Sequence, residues 1–188
     1  IIDKIASIGT ISDSCEITLE ANPTSFETDK FKQFKSAGIN RVSLGIQSFD
    51  EKDLLVLGRK HSSSEAINAI ESASKIFSRY SFDLIYARPD QTLEKWQEEL
   101  KFALTLAGNH ISLYQLTIEK GTPFFNLFRH NKLSFPADDL AATLYEWTSS
   151  YLKERDYNRY EISNYAKSGE EGIHNLCYWN YDEYIGIG

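Results

Sequence analysis

The chain has 188 residues, of which 41% are hydrophobic and 13% aromatic, and its formal net charge is -7 at pH 7. That is one domain's length with enough apolar mass for a core, and its acidic balance argues against a general nucleic-acid binder. No apolar run approaches the roughly 18 residues that cross a bilayer, and no secretory leader pattern is present, so a soluble cytoplasmic protein is expected. The two cysteines, Cys15 and Cys177, lie far apart and in no metal-ligand spacing. There is no Met, and the apolar, Gly-rich "EYIGIG" (Glu183 to Gly188) reads as a strand cut short. The chain is therefore expected to be an excerpt of a longer protein.

In chain order, "EITLEANP" (Glu16 to Pro23) reads as a β-branched strand ended by Pro. "DKFKQFKSAG" follows as a helix with Phe31, Phe34 and Ala37 on one face and Gly38 as its stop. "RVSLGIQS" (Arg41 to Ser48) is the next strand, and a short helix around "EKDLLVLG" ends at Gly58. A longer helix starts near Ser63 with Ile67, Ile70 and Phe77 as its stripe. "FDLIYARP" (Phe82 to Pro89) is a third strand. Thr92 caps a helix carrying Trp96, Leu100 and Leu104, closed by Gly108. "HISLYQLT" (His110 to Thr117) is a fourth strand. "EKGTPF" reads as a turn. A helix over about 137–155 carries Leu140, Leu144, Trp147 and Tyr151, and Tyr- and Asn-rich segments follow it.

Strands separated by helices imply βαβ units and a parallel sheet. The fold class is α/β, with a repeat length that suits part of a TIM-like barrel. In such a fold the chemistry gathers where strands end. Those ends carry Glu20 and Asn22, Gln47 and Ser48, and Gln115 and Thr117. Asp83 lies inside the third strand, on the face of Ile85 and Ala87. A carboxylate there must be paired or solvated, since burial alone costs several kcal/mol. Arg59 follows Gly58 and can clamp a carboxylate or phosphate; it also reads as an ordinary cation at a helix end. Each polar strand end, taken alone, equally reads as a cap or a water-binding group.

The segments "EITLEANP", "GINRVSLGIQSF", "LGRKH", "DLIYARPDQT", "HISLYQLTIEKGTPF", "RYEISNYAKSG" and "HNLCYWNYDEYIGIG" occur in one order and spacing that span essentially the whole chain. Together they resemble the radical SAM proteins related to oxygen-independent coproporphyrinogen III oxidase, most of all their heme chaperone branch. The resemblance implies a (β/α)6 partial barrel followed by a small α+β C-terminal extension. Residues 1–130 would then be barrel strands three to six, and 131–188 the start of the extension. It also implies a [4Fe-4S] cluster on a CxxxCxxC motif, which this sequence lacks, so its ligands are expected upstream.

By the same resemblance, S-adenosyl-L-methionine (SAM) would be contacted by Glu20, Gln47, Arg59, Asp83 and Thr117. Carboxylates suit its ammonium and hydroxyls, and an Arg suits its carboxylate. Where relatives carry a Gly-containing "YGLPGQT", this chain has "YARPDQT". Ala87, Arg88 and Asp90 are expected to narrow or recharge that rim. "HNLCYW" matches the family's heme-associated HNxxYW motif. His174 would ligate the iron, Asn175 would orient the imidazole, and Tyr178 and Trp179 would lie against the macrocycle. From the six letters alone, a satisfied His in a packed corner is the ordinary reading.

The function implied is a heme chaperone that binds heme and SAM and delivers heme to acceptor proteins, membrane-associated ones among them. The alternative is the oxidase itself, a radical oxidative decarboxylation in porphyrin biosynthesis. No nucleic acid is expected as a partner.

Overall fold

Residues 1–25, 27–130 and 132–186 are described by a computed structural model of the chain. In order they form α1 (Ile2–Ala6), β1 (Thr18–Ala21), a 3-10 turn (Pro23–Ser25), α2 (Thr28–Ser36), β2 (Arg41–Gln47), α3 (Glu51–Val56) and α4 (Ser63–Ile76). Then come β3 (Arg79–Tyr86), α5 (Leu93–Leu106), β4 (His110–Gln115), α6 (Pro123–Arg129), α7 (Asp138–Lys153), β5 (Asn158–Arg159), β6 (Asn164–Ala166) and α8 (Ile173–Trp179).

Local chemistry starts these helices where the sequence places them. Asp50 accepts from the amides of Lys52 and Asp53 at the head of α3. Ser62 and Glu65 form a reciprocal capping box on α4. Thr92 accepts from the Lys95 amide on α5. Gly38, with φ +107, ends the α2 segment in a conformation that costs a side chain energy.

The strands join one sheet in the order β1-β2-β3-β4-β6-β5. The first four are parallel; β6 and β5 add on antiparallel. Strand alternation then divides the sheet into two unlike faces. One carries Val42, Leu44, Ile46, Phe82, Leu84, Ile111 and Leu113, each at most 2% exposed. Phe31 of α2, Ala69 and Ile70 of α4, Trp96 and Leu100 of α5, and Leu144 of α7 pack into that same core. Tyr86 stacks on Trp96 at 5.3 Å, and the Trp96 indole N–H donates to Thr148 Oγ1 at 2.7 Å, so α5 is tied to α7. The opposite face is polar.

Several expectations change. "EKGTPF" is not only a turn: Thr122 accepts from the Phe125 amide and starts α6, with Pro123 in its first turn. The Tyr- and Asn-rich segment after α7 supplies β5 and β6, which join the sheet beside β4. Residues 183–186 form no strand, and 187–188 lie outside the described residues. Among the described residues no helix is long and apolar enough to cross a membrane.

Candidate functional site

A parallel sheet normally hides both faces and reads as continuous apolar runs. Here one face alternates into polar residues across five strands: Thr18 and Glu20, Arg41 and Ser43, Ser81 and Asp83, Ser112 and Tyr114, and Asn164. They are cross-linked. Arg41 Nη2 donates to Ser81 Oγ at 2.8 Å, Ser81 Oγ to Ser43 Oγ at 2.9 Å, and Ser43 Oγ reaches Asp83 Oδ1 at 3.4 Å. Ser112 Oγ donates to Asn164 Oδ1 at 2.7 Å.

Two adjoining cavities open on this face. The strand-end cavity, about 330 Å³, lies between Glu20, Asn22, Gly45, Gln47 and Asp83. The inner one, about 290 Å³, includes Glu20, Arg41, Asp83, Ser112, His174 and Asn175 in its wall. Glu20, Ser43 and Asp83 belong to both. Burial pushes the Asp83 carboxyl up to about 6, and the nearby Glu20 adds to the rise. Hydrogen bonding with Ser112 and Ser43, with the Arg41 charge, offsets only part of it. The cavity wall thus holds an acid that a cationic ligand would return to its ionised form.

Backbone form shapes the strand ends. Gln47 leaves β2 at φ 72 and Ala87 follows β3 at φ 56, both left-handed and costly for residues with a Cβ. Gly45 keeps the strand-end cavity open: a Cβ there would stand 3.2 Å from Gln47 Nε2 and 3.4 Å from Asn22 Oδ1.

Of the residues expected to contact SAM, Glu20, Gln47 and Asp83 meet in the strand-end cavity. Arg59 reaches its rim, donating from Nη1 to Asn22 Oδ1 at 3.1 Å. Thr117 lies beyond the end of β4, is exposed, and lines neither cavity; Ser112 and Tyr114 are what β4 supplies.

"HNLCYW" folds as α8. His174 faces the inner cavity, and Tyr178, one turn on, packs edge-on against its ring at 4.9 Å. Trp179 turns to another side of the helix and lines a separate cavity with Tyr145, Arg159 and Tyr160. The expectation that both aromatics share a surface with His174 therefore meets a helical geometry that places only Tyr178 beside it. Asn175 does not orient the imidazole either: its Nδ2 donates to Tyr160 Oη at 3.0 Å. Cys177 is half-buried, with its thiol near the Glu183 carbonyl.

The expected recharging of the rim by "YARPDQT" is also revised. Arg88 is 2% exposed and turns inward to bond Glu99, with Asp53 at 3.0 Å. Glu99 also accepts from Ser48 Oγ at 2.7 Å and from the Phe49 amide at 2.8 Å. The Arg clamps the turns after β2 and β3 from beneath, so its charge is spent inside the fold.

The site residues that strand-end reading missed are Arg41, Ser43, Ser112 and Asn164, together with Glu16. The first three carried a signal: every second residue of "RVSLGIQ" and "HISLYQ" is polar or Gly. Glu16 precedes β1, yet its side chain is only 3% exposed and binds Arg79 at 2.6 Å.

Residues 1–103 match the family model described as the radical SAM superfamily. A zebrafish protein named "Radical S-adenosyl methionine domain-containing protein 1, mitochondrial" is 38% identical over all of this chain and 43% of its own length. The heme chaperone HemW of Haemophilus influenzae is 45% identical over 94% of this chain and 45% of its own. The chain thus spans less than half the length of these curated relatives. The solved structure of Escherichia coli coproporphyrinogen III oxidase (HemN), a radical SAM enzyme, superposes with a TM-score of 0.75 at 21% identity, covering 90% of this chain and 39% of that one. That match shows the shared fold. The chain belongs to the radical SAM superfamily, and among that superfamily's members it is similar to the heme chaperone HemW.

Proposed function

We propose that this chain is the SAM- and heme-binding part of a cytoplasmic heme chaperone that passes heme to acceptor proteins. The observation that carries the reading is the polar face of the parallel sheet. There Asp83 and His174 line one cavity and Asp83 opens onto the strand-end cavity as well.

The strand-end residues suit SAM. Its ammonium and ribose hydroxyls match Glu20 and Asp83, its mixed donors and acceptors match Gln47, and its carboxylate matches Arg59 at the rim. Gly45 leaves the space open, and the carboxylates give an electrostatic fit to a sulfonium cation. We assign Thr117 no contact.

For heme, the imidazole of His174 supplies a nitrogen ligand in its neutral form. Tyr178 fixes the ring from the edge and, with Tyr184, offers exposed aromatic surface beside it. With heme bound, His174 would hold its iron and so tie the porphyrin to the helix. Asn175 and Trp179 act on the helix and its far side, not on the iron.

A [4Fe-4S] cluster does not fit this chain. Its two cysteines, one exposed and one half-buried, do not make up a CxxxCxxC set. Among the described residues no group of three or more His, Cys, Asp and Glu could hold a metal ion. Heme-accepting proteins are its partners, as the heme chaperone relatives suggest, and the C-terminal extension starts at residue 131. The oxidase alternative shares the fold, and no residue of the site favours it.

The test is a pair of titrations on the complete protein. Arg59→Ala and Asp83→Asn should each weaken SAM binding in calorimetry by roughly tenfold or more, as expected for a lost charge-assisted contact. His174→Ala should remove the heme Soret band while Cys177→Ser keeps it. A band that survives His174→Ala and disappears with Cys177→Ser would assign the ligand to the thiolate and sink the heme assignment.

A further inference from the structure

Helix α8 is only seven residues long, and its N-cap, Gly172, has no side chain to bond the first amides. So short a helix is marginal without outside support, and its leading N–H groups need partners. Distant segments supply them. The Ile173 amide donates to Glu16 Oε1 at 3.1 Å, and the Gly172 amide donates to Tyr160 Oη at 3.2 Å. Glu16 is held in turn by Arg79, whose Nε bonds Glu170 at 3.2 Å and whose Nη2 donates to the Glu171 carbonyl at 2.9 Å.

The Tyr160 hydroxyl is the crowded point. It receives the Gly172 amide and the Asn175 carboxamide, the latter at 3.0 Å. A phenol has one proton, and its acceptor capacity is filled by those two donors. Its own O–H is left to donate, and the third neighbour, His110 Nε2 at 2.8 Å, must accept it. The proton of the neutral imidazole then sits on Nδ1. That atom is buried with no protein partner, and His110 lines, with Arg79, Asn109 and Glu170 among others, a void of about 10 Å³, close to the room one water needs. His110 is 4% exposed. Burial, together with the Arg41 and Arg79 charges, keeps it neutral across the physiological range.

We propose that Tyr160 is the positioning residue for His174: its hydroxyl, oriented by His110, receives Gly172 and Asn175 and so fixes the first turn of α8 with the imidazole toward the inner cavity. The proposal rests on His174 as the heme ligand. Asn175 of the HNxxYW motif acquires its role from this relay, as the donor that registers the helix on Tyr160.

The experiment uses the complete protein and three variants, Tyr160→Phe, Asn175→Asp and His174→Ala. Ferric heme is titrated by absorbance, hydrogen exchange of amides 172–174 is followed without heme, and the His110 tautomer is read from its ring nitrogen shifts. Tyr160→Phe should speed exchange at 172–174 and weaken heme binding about tenfold, the size expected for one lost hydrogen bond, with an altered Soret band. Asn175→Asp offers Tyr160 an acceptor in place of a donor. The phenol then turns to the carboxylate, and the His110 proton moves from Nδ1 to Nε2. Wild-type heme affinity and Soret band in Tyr160→Phe, alongside loss of binding in His174→Ala, would overturn the positioning role and leave the ligand assignment standing. Heme binding retained in His174→Ala would instead defeat the ligand assignment. In that event unchanged exchange in Tyr160→Phe, or an unmoved proton in Asn175→Asp, defeats the relay by itself.

Discussion

Replacing Asp83 with Asn should stabilise the ligand-free protein at high pH and do far less at low pH. The fold raises the Asp83 carboxyl from its ordinary value of 3.8 to about 6, mainly by burial. A group held above its unfolded value contributes most below that unfolded value and loses the contribution as pH rises through the folded one. At about 1.4 kcal/mol for each tenfold change in proton affinity, the ionised form costs the native state about 3 kcal/mol at pH 8. At pH 4.5, where the folded group is protonated and the unfolded one mostly ionised, the same linkage leaves a cost of about 1 kcal/mol. Asn has a similar shape and no charge to bury, so the gain from Asp83→Asn should differ between the two pH values by about 2 kcal/mol. The wild-type profile alone hides this. His110, depressed to about 3 by burial and by Arg41 and Arg79, runs the other way, losing stability as pH falls below its unfolded value of 6.5. Subtracting variant from wild type at each pH removes the His110 contribution. The assay is urea unfolding of both proteins without ligand at pH 4.5 and pH 8. A difference that stays the same at both pH values would show that Asp83 is not held protonated by the fold, and the argument for a cation-seeking cavity would fail with it.

Gly45→Ala should weaken SAM binding by more than about tenfold while shifting the melting temperature little, because its Cβ enters the cavity and presses on Gln47; calorimetry beside thermal melts checks both. Arg88→Met should destabilise by about 3–5 kcal/mol, since it strands the buried Glu99 and removes the cation beside the half-buried Asp53, and adding Glu99→Leu should recover much of that loss. Urea midpoints for the two single variants and the double variant test it; strictly additive losses would contradict a buried pair. Thr148→Val should cost about 1–3 kcal/mol by leaving the buried Trp96 N–H without its acceptor, readable by denaturation and by a changed Trp fluorescence. Ala87→Gly should relieve a left-handed backbone and raise stability by no more than about 1 kcal/mol, seen as a small upward shift in the same midpoint.

The parallel strands and most of the helices between them were legible because their signals are local. Ser62 with Glu65, Asp50 and Thr92 mark helix starts by bonding amides two or three residues on, and Gly38 and Gly58 mark stops by positive φ. Glu20 and Gln47 could be placed at one site from sequence because strand ends of a parallel sheet converge; Asp83, inside β3, was joined to them through the family resemblance. The polar face was written in the alternation of "RVSLGIQ" and "HISLYQ", although reading only strand ends passed over Arg41, Ser43 and Ser112.

What sequence alone could not place depends on contacts made across long separations. Arg88 looks like a rim cation in one dimension; only the approach of Glu99 from α5 and Asp53 from α3 turns it inward. Asn164 joins the site because β6 pairs antiparallel with β4 across some fifty residues, a register that no local propensity encodes. "HNLCYW" determined a histidine and its aromatic neighbours by composition. It did not determine that they would form a helix, that Tyr178 and Trp179 would part to different sides, or that Asn175 would serve Tyr160. Those follow from Glu16 and Tyr160 supplying the first amides of α8 with acceptors from segments 157 and 12 residues away. The sequence sets which groups can bond, and the tertiary fold decides which of them come within bonding distance.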